Sequence, residues 1–406
     1  MVQALRSPAI WMILIATFLD MMAMGIVMPV LPGLIEHLTG SLAAAGIWTG
    51  VIGSLWALMQ FVFAPVIGSL SDRFGRRLVI LTSTAGLAID WVLMALAPNL
   101  WWLVVGRTIG GITSASATAL FAYMADVTSP ENRARAFGLI GAVISAGFVL
   151  GPALGGILGD ISPRLPFWIA AGFSGTAFLY GLVVLTESLP ADRRKPFAWR
   201  SANPVAAMQM VLGRRELTSL ALSVFLLTFA HRLFMTVFVL FAGHRHGLST
   251  LEIGALLAFS SVLDLIMQGA LLGPAIARFG ERNTTIMGLA GGMLSFLAMG
   301  VAPSAAWFIA AMIPASLIGL AEPTLKSMLS RRVSEIEQGQ LQGSMQSLVS
   351  VAGIAGPVFF GWVYAESSGS MPGLSFVIAA GILAMAVIFA GLGSHAAPAP
   401  QRAASD

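Results

Sequence analysis

Six ionisable residues interrupt long apolar runs of the sequence: Asp20, Asp90, Arg107, Arg232, Asp264 and Glu322. A charge at the centre of a bilayer costs roughly 2.5–3.5 kcal/mol by insertion scales, so each marks a candidate working group. Two kinds of chemistry are open to them. An acid beside a base stays ionised and neutralises it, whereas an acid without a mate is driven toward its neutral form and can carry a proton. Because a helix rises by a fixed increment per residue, spacing reports depth. Asp90 lies eight residues before Pro98 and Arg107 eight after Asn99, which places both at one depth on consecutive antiparallel helices. Arg232 and Asp264 bracket the turn near Gly247 at similar distances, and Glu322 precedes Lys326 by one helical turn. These three pairs are open to two readings, structural neutralisation or working parts. Asp20 has no mate at its depth and is the first expected proton-coupling group, followed by Asp264 and Glu322.

Other polar residues in these runs are candidates for a substrate cavity: Gln60, His231, Arg232, Gln268, Gln346 and Ser350. A packed core position serves His231 equally well. His244 and His246 are expected to be solvated in a loop. Met21, Met22, Met24 and Met28 suit either lipid-facing packing or adaptable contact with apolar ligands.

The elements that must hold these groups are membrane helices. Of 406 residues, 57% are hydrophobic, only 10% are charged, and the mean hydropathy is +0.87. Soluble domains carry about 25% charged residues, so this chain cannot clothe itself in a solvated surface. Apolar stretches near the roughly 20 residues needed to span a bilayer recur over 10–32, 47–70, 78–97, 101–125, 137–159, 167–186, 217–241, 252–276, 284–302, 306–328, 343–364 and 372–393. These are segments 1 to 12. Arg6 before an apolar run resembles a signal peptide, but Asp20 interrupts the run and no small-residue cleavage site follows, so a retained helix is expected. The 44 glycines suit helices that approach closely in lipid. Cysteine is absent, the five histidines lack metal-ligand spacing, and no Gly-rich Lys loop for phosphate appears. No enzyme, metal site or cofactor is expected. The dispersed basic residues argue against nucleic acid as a partner.

Those basic residues set an orientation. With the N-terminus cytoplasmic, inter-helix arginines and lysines fall inside except Arg164 and Arg245, as the positive-inside rule requires. A bacterial-type inner membrane with both termini cytoplasmic is expected. The chain also repeats itself: Gly68, Arg73, Phe74, Gly75 and Arg77 recur 205 positions later as Gly273, Arg278, Phe279, Gly280 and Arg282, and Gly151-Pro152 recurs as Gly356-Pro357. Duplicated halves around a midplane site are a transporter architecture. The expected division is residues 1–187 and 217–394 as two six-helix bundles, 188–216 as a cytoplasmic linker and 395–406 as a cytoplasmic, disordered tail.

Two motifs sharpen this. The turn after segment 2 runs Gly68-Ser-Leu-Ser-Asp72-Arg73-Phe74-Gly75-Arg76-Arg77, and it resembles the signature loop of the major facilitator superfamily. Its glycines permit a tight turn and close helix approach, and Asp72 can meet a helix N-terminus or a nearby arginine. Segment 5 runs Gly147-Phe-Val-Leu-Gly151-Pro152-Ala-Leu-Gly155-Gly156, similar to the motif of that superfamily's drug-exporting antiporters. Leu19-Asp20, Gly25-Ile-Val-Met-Pro29-Val-Leu-Pro32-Gly33, Ala88-Ile-Asp90-Trp, Gly106-Arg107, Tyr123-Met-Ala-Asp126, Met328-Leu-Ser-Arg331 and Gln338-Gly-Gln-Leu-Gln-Gly343 look like the tetracycline–proton antiporters.

That resemblance implies an all-α fold of twelve membrane helices in two pseudo-symmetric bundles. It also implies efflux of tetracycline-like or other amphipathic drugs, exchanged for protons by alternating access, in a monomer. The chain departs from the pattern where the family's helix-9 acid would fall, near Gly291, and in carrying Arg232, Asp264 and Glu322. A transporter of a metabolite or organic anion held by Arg232, and a non-transporting receptor or scaffold, are the alternatives.

Overall fold

A computed structural model describes residues 8–114, 117–129, 132–194, 211, 213–334 and 337–394. Most of the expected linker and all of the expected tail lie outside the described residues. Every long element is a helix, and ten described runs are long and apolar enough to cross a membrane. Segment 1 is Pro8–Val27, followed after a turn at Pro29 by Leu31–Thr39. Segment 2 is Leu42–Phe74, segment 3 Arg76–Leu96, segment 5 Arg133–Ile161, segment 6 Leu165–Val184, segment 11 Gln338–Ser367 and segment 12 Leu374–Ser394. Segment 4 is described as Leu100–Ser114 and Ala117–Val127, segment 7 as Arg215–Thr236 and Phe238–His246, and segment 10 as Ala305–Ala315 and Ile318–Ser330. Segments 8 and 9 form one run, Thr250–Gly300, of 51 residues.

Segment 2 is longer than the apolar stretch 47–70. Segment 2 covers 33 residues, because its charged end, Asp72 and Arg73, continues the helix beyond the apolar stretch. The signature turn is accordingly a one-residue break. Gly75 has φ 100° and ψ 159°, and the next helix starts at Arg76. Its repeat partner Gly280 bends the segment 8–9 run with φ 76° and ψ 162°. The two halves thus reverse direction at corresponding glycines, in a backbone region open essentially to glycine alone. The flanking rings correspond too, with the Arg73 guanidinium 5.1 Å from the Phe74 ring centroid and that of Arg278 5.6 Å from Phe279. Gly68 and Gly273, by contrast, have no close neighbour among the described residues, so close approach within them does not explain these glycines.

Beside Gly75, the Glu187 carboxylate accepts from the backbone N–H of Arg76 at 2.8 Å and of Arg77 at 3.3 Å. A carboxylate from the end of segment 6 therefore caps segment 3, satisfying orphan donors and opposing the helix dipole. Asp72 bonds Arg76 at 2.6 Å, and Arg76 also reaches Asp126 at 3.3 Å. The second half carries this last pair with its signs exchanged. Glu281, 205 positions after Arg76, bonds Arg331, 205 positions after Asp126, at 3.0 Å.

The antiporter-type motif uses its glycines for contact. Gly147, Gly151 and Gly155 share one helical face and lie against Met21, Gly25 and Ile26 of segment 1, where an added Cβ would fall within 3.0 Å of neighbouring atoms. Gly156 presents the adjoining face to segment 8, at Thr250, Leu251 and Gly254. Segment 11 meets segment 2 in the corresponding way: Gly46 lies against Gly361 and Gly50 against Pro357. The fold divides into two compact units that reflect these contacts. One gathers segments 1–6 with Met235–Ser261 and Pro357–Glu366, and the other contains the first part of segment 7, Val262–Gly356 and segment 12.

A Cβ at Gly75 would strike the Glu187 carboxylate, while one at Gly280 would meet nothing within 4 Å. Both alanine variants incur backbone strain of about 1–3 kcal/mol, and only Gly75→Ala adds a collision. Thermal melting in detergent should show the larger drop for Gly75→Ala; equal drops would contradict this account of the turn.

Candidate functional site

Two cavities, one in each unit, are lined by most of the intramembrane charges and cavity candidates selected from the sequence. The first, of about 120 Å³, is lined by Asp20, Met21 and Met24 of segment 1, Trp56 and Gln60 of segment 2, Asp90 and Trp91 of segment 3, and Arg107 of segment 4, among others. Asp90 is fully buried and ion-paired with Arg107, whose guanidinium stands 4.3 Å from the Trp91 ring centroid. Removing either member would strand a buried charge, so its loss is costly. The glycines of segment 4 make it possible. A Cβ on Gly106 would sit 2.9 Å from Asp90 Oδ1, and one on Gly110 would sit 2.8 Å from its carboxyl carbon. The Asp90 side chain lies in the groove left by these missing side chains. Asp20 differs in having no ion pair among the described residues, and its Oδ1, like that of Asp90, is buried there without a hydrogen-bond partner. Met21 and Met24 line this cavity, as the reading of contact with apolar ligands requires.

The second cavity, of about 540 Å³, is lined by Thr228, His231 and Arg232 of segment 7, Asp264 and Gln268 of segment 8, and Glu322 and Lys326 of segment 10, among others. Glu322 and Lys326 bond at 2.6 Å, and both side chains are half-exposed. Arg232 and Asp264 share the cavity, and Glu322 also acts electrostatically on Arg232. His231 lies at its edge, stacked on Phe234 at 5.7 Å. Gly356 makes room for Arg232, since a Cβ there would lie 2.8 Å from the arginine's stem. Immediately after Asp264, segment 8 widens into a π-helical turn, Met267–Leu271, that carries Gln268. Such turns are rare and favour functional sites. Nothing in the local sequence announced it.

Of the remaining candidates, Gln346 and Ser350 do not line either cavity, although their neighbour Val349 lines the second. The Gly68–Arg77 turn and the glycine motif of segment 5 lie outside both linings and act on helix direction and packing. At Gly291 the space an acid would need is filled, because a Cβ there would fall 2.6–3.2 Å from the Leu317 side chain. His244 is not merely solvated. Its ring bonds Glu36 at 2.8 Å, and His246 packs edge-on against Phe241. Sequence distance concealed both Glu36–His244 and the Glu187 cap.

Known proteins resemble this chain in sequence and fold. The sequence model of the Major Facilitator Superfamily matches residues 13–357 and again 220–406. The class C tetracycline resistance protein of Escherichia coli is 39% identical over 374 residues, covering 92% of this chain and 94% of that protein. The class G protein of Vibrio anguillarum is 37% identical, covering 93% and 95%. Among solved structures, the human organic anion transporter MFSD10 (TETRAN) is similar with a TM-score of 0.67 at 25% identity, covering 94% of this chain and 98% of that one. Family and fold make the protein a multi-pass membrane transporter of a small molecule rather than an enzyme. The chain belongs to the Major Facilitator Superfamily and, within it, to the group of transporters that contains the tetracycline resistance proteins.

Proposed function

We propose that the protein exports a tetracycline-like, amphipathic drug in exchange for protons, by alternating access across a bacterial-type inner membrane. The observation that carries this reading is a pair of cavities that each have a carboxylate in their lining: Asp20 in one, Asp264 in the other. The likeness to tetracycline resistance proteins supplies the drug class. Both termini lie in the cytoplasm, residues 1–187 and 217–394 act as the two working halves, and the protein functions as a monomer.

Coupling requires that drug and proton bias one conformational equilibrium differently. On this reading a proton arriving from outside neutralises a cavity carboxylate, and drug arriving from the cytoplasm displaces it. Asp90 and Glu322 are paired with Arg107 and Lys326, whereas Asp20 has no ion pair among the described residues. Asp20 is therefore the first coupling group. Asp264 stands in for the acid that Leu317 excludes at Gly291. Glu322, half-exposed beside Lys326, is the weaker candidate.

A second reading draws on the three bases of the larger cavity, His231, Arg232 and Lys326, and on the similarity to an organic anion transporter. Under it the substrate is an organic anion held by Arg232.

Proteoliposomes separate these readings. Tetracycline-driven proton movement should be present in the unmodified protein, fall at least tenfold in Asp20→Asn and Asp264→Asn, and change less than threefold in Glu322→Gln. Absence of tetracycline-driven proton movement in the unmodified protein would remove the leading proposal. Arg232→Gln should leave tetracycline exchange within threefold if the drug reading holds. Abolished transport in that variant, with inhibition of the unmodified protein by simple aromatic carboxylates, favours the anion reading.

A further inference from the structure

We propose that the cavity around Asp20 is a receptor for a positively charged amine head group, so that the transported molecule carries a protonated or quaternary nitrogen. The inference deepens the export reading, and rests on it in placing this cavity on the substrate's path.

The argument is one of charge balance. Three charged residues line the cavity: Asp20, Asp90 and Arg107. Asp90 and Arg107 neutralise each other, and Arg107 is further engaged by the Trp91 ring. That leaves one carboxylate uncompensated, with its Oδ1 buried and lacking a hydrogen-bond partner among the described residues. An ionised carboxylate removed from water and left unpaired is strongly disfavoured, so a cation delivered beside it recovers a large interaction.

The rest of the lining selects what kind of cation. Trp56 offers an aromatic surface, and Met21, Met24, Leu87 and Leu120 make the wall apolar and adaptable. A compact alkylammonium satisfies both features, because it attracts an indole face and sheds its water more readily than a metal ion does. The volume of about 120 Å³ accommodates a head group rather than a whole amphipathic drug. The apolar body of the molecule would extend from the cavity mouth. A substrate bound this way competes directly with a proton for Asp20, which provides the differential interaction that exchange requires.

The test uses choline and its uncharged carbon isostere, 3,3-dimethylbutan-1-ol, titrated against the purified full chain by ligand-observed NMR. The unmodified protein should prefer choline at least tenfold. Asp20→Asn should reduce that preference below threefold, and Asp20→Glu, which keeps the charge, should restore it. No preference in the unmodified protein, or an undiminished preference in Asp20→Asn, would overturn the proposal. Where Asp20→Asn does not fold, modification of Asp20 by a hydrophobic carbodiimide in the unmodified protein decides the matter. Choline should protect and the isostere should not; equal labelling with both overturns the proposal. Choline selectivity that depends on Asp20, in a protein that moves no protons with tetracycline, supports this site while removing the export reading.

Discussion

A charge that leaves water for the interior of a membrane protein must be neutralised, rehydrated or put to use, and much of this structure follows from how six charges meet that demand. Asp90 and Arg107 neutralise each other in a groove bared by Gly106 and Gly110. Glu322 and Lys326 pair at the wall of the larger cavity, with both side chains half-exposed. Asp20 keeps an unpartnered buried oxygen. Arg232 occupies room made by Gly356, facing the same cavity as Asp264. The glycines of segments 4 and 11 are thus explained by the charged side chains they admit, as much as by helix packing.

The duplication shows how one scaffold came to hold different chemistry in its halves. Gly75 and Gly280 preserve the same reversal of chain direction, and the arginine–phenylalanine contacts beside them are preserved as well. Nearby, Arg76–Asp126 corresponds to Glu281–Arg331, an ion pair with its signs exchanged. The cavities carry no such correspondence, for Asp20, Asp90 and Arg107 do not match Arg232, Asp264 and Glu322 at the repeat spacing. Backbone reversals and helix contacts constrain both halves alike.

How much of this was legible beforehand depends on the range of the interaction. Composition and apolar run length were enough for the membrane class, since they reflect a solvent preference summed over many residues. The repeat and both motifs were visible because they are contiguous. Depth arithmetic placed Asp90 beside Arg107, since consecutive helices leave little freedom in register. The Glu187 cap escaped because it joins residues 111 positions apart, and Glu36–His244 because it spans 208. The π-helical turn at Met267–Leu271 escaped for another reason: one extra residue in a helical turn leaves no compositional trace.

The central claim is that drug and proton compete for cavity carboxylates, Asp20 foremost, and its most direct test needs no membrane. Tetracycline added to the detergent-solubilised protein in weakly buffered solution at a pH where the drug's own charge does not change should release protons, followed by a pH indicator. The account predicts release from the unmodified protein that is diminished in Asp20→Asn and absent when Asp264→Asn is added. Saturable tetracycline binding with no proton release from the unmodified protein, or with the same release from the double variant, would contradict it.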